Sequence, residues 1–276
     1  MTPKVSIVIA CYNDPDIVKA VNSAYEQTYG NKEIIVVNDG SDKKTVDATA
    51  SVSDKIDILL EQSNQGQSIA RNNGIERASG ELILNLDSDD QFEPVFCEKA
   101  VEIFKEDPEI KIVSCYARRY NESETIDVFN TRGGDIQSFL FSNSALGSSM
   151  FRKVDWKACG GYEEKLPILG FEDWELYVNI LKKGGFAHVI PEVLFHYQVR
   201  KGSTTDRIRT QKYDKFRHII LKHKELYSSN FEGLVEHFID KLKNSESERL
   251  RITQKPDFKA GSFLLRPLRF LKGMIK

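Results

Sequence analysis

The strongest constraint on this chain is the alternation within its first ninety residues. Residues 4–10, 33–38 and 81–86 are short runs dominated by Val, Ile and Leu, the pattern of strands buried on both faces, and 56–61 reads as another strand. Between them lie three helical segments. Asp14 is placed to cap and Pro15 to start the first, with Val18, Val21 and Tyr25 on one face, and residues 45–52 and 67–78 form the others. A strand-helix order repeated in this way predicts a parallel, doubly wound sheet, whose ligands bind beyond the carboxyl ends of the strands.

Polar residues gather where that rule puts a ligand. Ala10, Cys11, Tyr12, Asn13 and Asp14 follow the first strand, Asp39, Gly40 and Ser41 the second, and Asp87, Ser88, Asp89 and Asp90 the fourth, so the three clusters share one rim. Asp39 can accept hydrogen bonds from a ribose diol or a base N–H. No GxGxxG follows the first strand, which argues against a pyrophosphate laid on the helix N-terminus in the dinucleotide manner. Three carboxylates within residues 87–90 repel one another unless a cation neutralises them, and hard oxygen ligands suit magnesium or manganese. A lone acidic turn is usually only solvated; its convergence with two other strand ends turns the reading toward a ligand site.

Farther along, 94–105 reads as a helix, 110–116 as a strand and 121–135 as a loop or hairpin. Residues 172–182 are helical, with Trp174, Tyr177, Val178 and Leu181 on one stripe, which makes Trp174 a core residue before a sugar-stacking one. Residues 186–197 read as a strand pair broken at Pro191, and from 207 onward the chain is helical, polar and basic.

Five blocks occur in order: 5–13 (VSIVIACYN), 36–41 (VVNDGS), Asn64-Gln65-Gly66 with 70–74 (ARNNG), 86–90 (LDSDD) and Glu172-Asp173-Trp174. Together they resemble the GT-A glycosyltransferases of family two, which are inverting and use nucleotide sugars. The resemblance implies an α/β GT-A fold, Rossmann-like with a mostly parallel sheet flanked by helices, over residues 1–205, followed by a basic helical C-terminal extension over 206–276. It also assigns roles. Ala10, Tyr12, Asp14, Asp39 and Ser88 would border the nucleotide sugar, Arg71 would help orient the donor, and Asp87 and Asp89 would be the DxD that ligates Mn2+ or Mg2+ on the diphosphate, with Asp90 a fallback ligand. Asp173 would be the general base, at a helix N-terminus that favours its ionised form. Many members carry Tyr-Arg-x-His-x-x-Ser near the end of the catalytic region; here the run 197–203 puts Arg200 at the His position, where it could neutralise a diphosphate but not bind metal.

The implied activity is transfer of a hexosyl or N-acetylhexosaminyl group, UDP-linked by family habit, to a glycan or lipid-linked hydroxyl. A sugar-phosphate nucleotidyltransferase is the rival enzyme, and it would want a Gly-rich cationic loop after the first strand; a catalytically inactive nucleotide-sugar-binding protein is the rival of another class.

Composition fits this setting. The 276 residues are 40% hydrophobic and 29% charged, with four scattered cysteines and no CxxC pair, so a disulfide scaffold or zinc site is not expected. No apolar run reaches a membrane span and the N-terminus leads directly into a strand, which sets the expectation of a cytoplasmic protein. The formal charge of −2 conceals an asymmetry: 18 Lys and Arg against 9 acids from residue 201 onward, +9, and −11 before it. Residues 255–276 carry six cations and one acid, and on a helical projection the apolar residues from 263 to 275, Leu265 apart, share a face. The tail is therefore expected to touch the inner face of a membrane, the alternative being a helix folded back on the catalytic domain, and no nucleic-acid partner is expected.

Overall fold

A computed structural model describes residues 2–121, 124–164, 170–200 and 211–265. The chain divides into two units, 1–222 and 223–276. The first unit opens with β1 (Val5–Cys11), α1 (Ile17–Tyr25), β2 (Lys32–Asp39), α2 (Lys43–Ala50), β3 (Ile58–Gln62), α3 (Gln67–Arg77) and β4 (Leu82–Asp87). It continues through β5 (Gln91–Phe92), α4 (Phe96–Glu106), β6 (Ile110–Tyr120), β7 (Thr125–Phe129), α5 (Ile136–Phe139), β8 (Met150–Arg152), α6 (Lys153–Cys159), α7 (Glu172–Leu181), β9 (Phe186–Gln198) and α8 (Lys212–Lys222).

The strands form one sheet in the order β3-β2-β1-β4-β8-β6-β9-β5, with β7 paired to β6. The first four strands are parallel, as their sequence pattern requires. The second half is mixed: β8 runs antiparallel to both β4 and β6, and β6 and β9 are parallel. Two reversals restore direction, so β6 and β9 end on the same rim as β1, β2 and β4.

Alternation along the strands separates two faces. Ile7, Ile9, Val36, Leu84 and Leu86 pack with Ile17, Ala20 and Val21 of α1 and Phe96, Ala100 and Phe104 of α4 in one apolar core. The opposite face carries α3, brought unusually close by Gly74, where a Cβ would stand 2.5 Å from Val8 Cγ1 and 3.0 Å from Val37 Cγ2. Asn85 and Asp87 alternate with Leu84 and Leu86 and so belong to the α3 face.

Three expectations are corrected. Helix α1 starts at Ile17, because Pro15 and Asp16 first make a turn in which Asp14 Oδ1 accepts the Asp16 N–H. Its buried face is Ile17, Ala20, Val21 and Ala24, and Tyr25 is 54% exposed. Residues 186–198 are a single strand: Ile190 faces Cys115 and Val193 faces Tyr116, so Pro191 and Glu192 bulge out where proline has no N–H to give the ladder. Residues 121–135 do contain a hairpin strand, β7.

The boundary expected between 205 and 206 lies outside the described residues. Helix α8, beyond it, belongs to the first unit: Phe216 stacks on Trp174 at 5.5 Å, Ile219 is fully buried, and Lys222 pairs with Glu163 at 2.8 Å and Glu175 at 2.7 Å. The second unit comprises α9 (Lys224–Ser229), α10 (Phe231–Gln254) and α11 (Pro256–Leu264). The amphipathic tail from 266 onward falls outside the described residues. Among those that are described, no helix is long and apolar enough to cross a membrane. The cysteines are free, and burial pushes the Cys11 and Cys97 thiols up to about 12.

Candidate active site

The site is organised by a charge that the apolar pattern of α3 does not advertise. Arg71 is 1% exposed, and α3 aims it across the sheet face toward the end of β4. Its Nη2 donates to Asp87 Oδ1 at 2.5 Å and its Nη1 to Asp173 Oδ1 at 2.7 Å, with Glu172 Oε1 at 3.4 Å. The guanidinium also lies over the Tyr162 ring, 5.3 Å from its centroid. One planar fork therefore joins the strand-end acid to the acids that open α7, groups separated by 16 and 102 positions in the chain.

Asp173 keeps 15% of its side chain exposed and Asp87 28%, so both acids face the rim while Arg71 and Glu172 are sealed beneath them. Burial pushes its pKa well above the usual carboxylate range; Arg71 opposes that, and the negative charges of Glu172 and Asp87 add to it. The wall opposite is the turn at Leu146 and Gly147. Tyr177 Oη sits 2.9 Å from Leu146 O and 2.8 Å from Gly147 O, holding the turn so close that a Cβ on Gly147 would lie 2.7 Å from Asp173 Oδ2. The Asp87 N–H donates to Ser148 Oγ at 3.3 Å, which ties the same turn to the end of β4.

A second guanidinium serves the next acids along the rim. Arg200 Nη1 donates to Asp14 Oδ1 at 3.0 Å and Nη2 to Asp16 Oδ2 at 2.7 Å, and its Nε is 3.6 Å from Asp89 Oδ2. Ser88 Oγ donates to Asp14 Oδ2 at 2.8 Å, drawing the first and fourth strand ends together. Asp89 is still pushed up to about 6, by burial first and by Asp87 and Asp14 besides, against the pull of Arg200. Asp90 turns inward, 1% exposed, with Oδ1 accepting the Gln198 N–H at 2.9 Å; burial and the charges of Asp89 and Asp87 raise it well above the usual range. The crowded acids expected to need a metal are thus partly neutralised by the chain's own arginines.

At the second strand end, Asp39 Oδ1 accepts from Gln62 Nε2 and the Gln65 N–H, both at 2.8 Å, and Oδ2 accepts the Gly66 N–H at 2.9 Å. It therefore shapes the loop into α3 as well as bordering the rim. Ala10 stands in register with Asp87, and Tyr12 is 52% exposed beside Asn13, whose φ of 51° lets its Oδ1 accept the Asp42 N–H at 2.7 Å.

The structure thus gathers Asp14, Ser88, Asp89 and Arg200 in one cluster and Arg71, Asp87 and Asp173 in another, with Asp39 and Tyr12 on the neighbouring strand ends. Arg71, expected to orient the donor, lies beneath the rim with both terminal nitrogens engaged by carboxylates, so it orients acids. Tyr162, Tyr177 and Gly147 carry no sequence signal of their role. Tyr177 reads as a core residue, and its ring is; only the fold shows where its hydroxyl goes. Trp174 is core as expected, its Nε1 donating to Phe139 O at 2.6 Å.

Residues 6–153 match the family model for glycosyl transferase family 2. The chain belongs to that family. It is 30% identical over 219 residues to an uncharacterized glycosyltransferase of Haemophilus influenzae, covering 75% of this chain and 73% of that protein. Of two further curated relatives the chain spans only 38% and 32% of their length. Among solved structures, a mannosyltransferase of Pyrobaculum calidifontis in complex with GDP-Man and Mn2+ superposes with a TM-score of 0.62 at 18% identity, covering 95% of this chain and 84% of that one. S. aureus TarS (residues 1–349) in complex with UDP-GlcNAc gives 0.62 at 18% identity, covering 74% and 60%. At that identity both attest the shared GT-A fold.

Proposed function

We propose that this family 2 glycosyltransferase moves a hexosyl or N-acetylhexosaminyl group, with inversion, from a UDP-linked donor to a hydroxyl of a glycan or lipid-linked acceptor. The observation that carries the reading is the Arg71 fork. It holds the acid at the end of β4, where an α/β sheet presents its ligand, beside the rim-facing acid that opens α7. A donor over the rim then has a carboxylate on the side from which an acceptor approaches.

In this scheme Asp173 takes the proton of the acceptor hydroxyl as that oxygen bonds to the anomeric carbon, and the bond from that carbon to the diphosphate oxygen breaks on the opposite face. Burial makes Asp173 a better proton acceptor than a solvated aspartate, and Arg71 aims it and pulls it toward the ionised form. Arg200 brings positive charge to the side where the diphosphate departs. Tyr12, Asp14, Asp39, Ser88 and the Ala10 backbone border the nucleotide. The departing group leaves as a stabilised anion, so one base suffices where a glycosidase uses two carboxyl groups.

Asp87 and Asp89 suit a divalent cation. No three His, Cys, Asp or Glu side chains form a ready cage among the described residues, and two carboxylates completed by substrate phosphates are the arrangement magnesium and manganese accept. Bound there, Mn2+ or Mg2+ would supply stabilisation of the negative charge on the leaving diphosphate.

Two supports exist, one for the donor and one for the location. The solved neighbours carry nucleotide sugars, and residues 255–276 carry cations that would each contribute about 1 kcal/mol at an anionic leaflet. We therefore propose a cytoplasmic enzyme that rests on the inner face of the membrane; co-sedimentation with anionic liposomes, lost on truncation after Thr253, tests the membrane contact.

Asp173→Asn tests the chemistry without knowledge of the acceptor. With water as acceptor, manganese-dependent hydrolysis of the nucleotide sugar is expected to fall by about a hundredfold to ten-thousandfold while UDP affinity holds. Unchanged hydrolysis would remove Asp173 from the role.

A further inference from the structure

On the same rim, beyond Asp89 and Arg200, lies an open cleft of about 680 Å3 that the scheme above leaves without an occupant. Its walls are the ends of β6, β5 and β9, the start of β7 and the first turns of α1. Gln91 follows directly on the acidic strip and pairs across the sheet with His196. Two residues past His196, the Gln198 N–H holds Asp90, and the Val199 N–H bonds Tyr120 O at 2.8 Å, immediately before Arg200. The cleft therefore shares a wall with the acids and arginine of the candidate site.

Strand alternation decides what enters it. Arg118 and Tyr120 point one way from β6 and line the cleft, whereas Arg119 points the other way, with Nε 2.7 Å from Asp127 Oδ1 and its guanidinium over the Phe129 ring. Arg118 is exposed and makes no ion pair among the described residues. Lys19 adds a second cation, shared with Asp16 at 3.1 Å, and Glu124 is the one acid among the described residues of the lining. His196 is held by Glu93 at 2.6 Å. The rest is a tyrosine ring, two amides and a threonine, with no aliphatic side chain among the described residues of the lining. An apolar ligand has nothing to bury against there. A sugar chain does: hydroxyls for the amides, a ring face for Tyr120, and an anion for Arg118.

We infer that this cleft binds an acidic unit of the acceptor glycan, a sugar carboxylate or a phosphate, with Arg118 as its principal contact. The inference rests on the transferase reading of the rim and adds to it the charge of the acceptor. A guanidinium without an ion-pair partner among the described residues offers a planar donor fork that matches either anion. The open shape suits a chain running across the rim and not a ligand enclosed in a pocket.

Titration calorimetry on the full-length protein tests this with three probes: a tetrasaccharide alternating glucuronic acid and N-acetylglucosamine, a glycerol phosphate oligomer, and neutral chitotetraose. At least one anionic probe is expected to bind, more weakly as salt rises, and at least about tenfold tighter than chitotetraose; which anion binds tighter identifies its source. Arg118→Ala should weaken that probe by about tenfold or more, the loss of a charge-assisted hydrogen bond, with Arg118→Lys in between. UDP affinity with manganese should be the same in all three proteins, which also reports that the variants fold. Equal affinity of Arg118→Ala and wild type for the anionic probes, equal affinity for neutral and anionic probes, or binding of no anionic probe overturns the inference. Absence of UDP binding in the wild type would instead strike at the transferase reading.

Discussion

Removing Arg71 probes both the stability and the chemistry of the site. The side chain is buried, and three carboxylates stand within 3.4 Å of its nitrogens. Arg71→Ala leaves Asp87, Asp173 and Glu172 facing one another without a counter-charge, and taking one partner from a buried ionic cluster costs about 3–5 kcal/mol. That is a large part of the roughly 5–15 kcal/mol that holds a domain folded. Arg71→Lys keeps a charge but not the fork: one ammonium cannot reach both Asp87 and Asp173 in the same geometry, and loss of one charge-assisted bond costs about 1.5–3 kcal/mol. Because Arg71 is what pulls the Asp173 pKa down, the lysine variant should also carry its acid limb of donor hydrolysis to higher pH, since the base must be ionised to act. Urea unfolding, read as a midpoint shift at constant slope, measures the first effect, and the pH profile of hydrolysis measures the second. An Arg71→Ala protein within about 1 kcal/mol of wild type, or an Arg71→Lys protein with an unmoved acid limb, would refute the reasoning.

Two other sites give distinct readouts. Gly147→Ala places a methyl where Asp173 Oδ2 now stands 2.7 Å away, so donor hydrolysis should fall by about a hundredfold, the usual result of an ångström's misplacement, with UDP affinity intact; hydrolysis within twofold of wild type would count against the close approach. Glu33 is buried between β2 and β1. Burial pushes its pKa up, but hydrogen bonds from Lys4, Ser6 and Ser79 overcome that and bring it from 4.5 down to about 2. A lowered pKa means stability that is complete above about pH 4.5 and is lost as pH falls through about 2, worth roughly 3 kcal/mol over that window. Glu33→Gln should flatten the acid dependence of the urea midpoint by that amount, and an unchanged slope would contradict the assignment.

What the sequence discloses follows the range of each interaction. The β1 to β4 half of the sheet and the placement of Asp39, Asp87 and Asp89 at strand ends are local matters, written in apolar runs and the residues that stop them. The mixed half is not. Residues 150–152 are too short to announce a strand, yet β8 is what reverses direction between β4 and β6 and so brings β6 and β9 to the working rim. The face of α1 was displaced by a two-residue turn that Pro15 equally permits. The partners of Arg71 lie 16 and 102 residues away, and no periodicity encodes that meeting. Arg200 is close in sequence to none of Asp14, Asp16 or Asp89; only the return of β9 beside β6 brings them together.

We propose that the acids at the end of β4 bind the diphosphate of a nucleotide sugar through a divalent cation. Titration calorimetry of UDP into the full-length protein, with manganese and with chelator, for wild type and Asp89→Asn, tests it most directly. Wild type is expected to bind UDP only with manganese, and Asp89→Asn is expected to lose that dependent binding. Equal UDP affinity with manganese and with chelator, or an Asp89→Asn protein that binds UDP with manganese as tightly as the wild type, would contradict it.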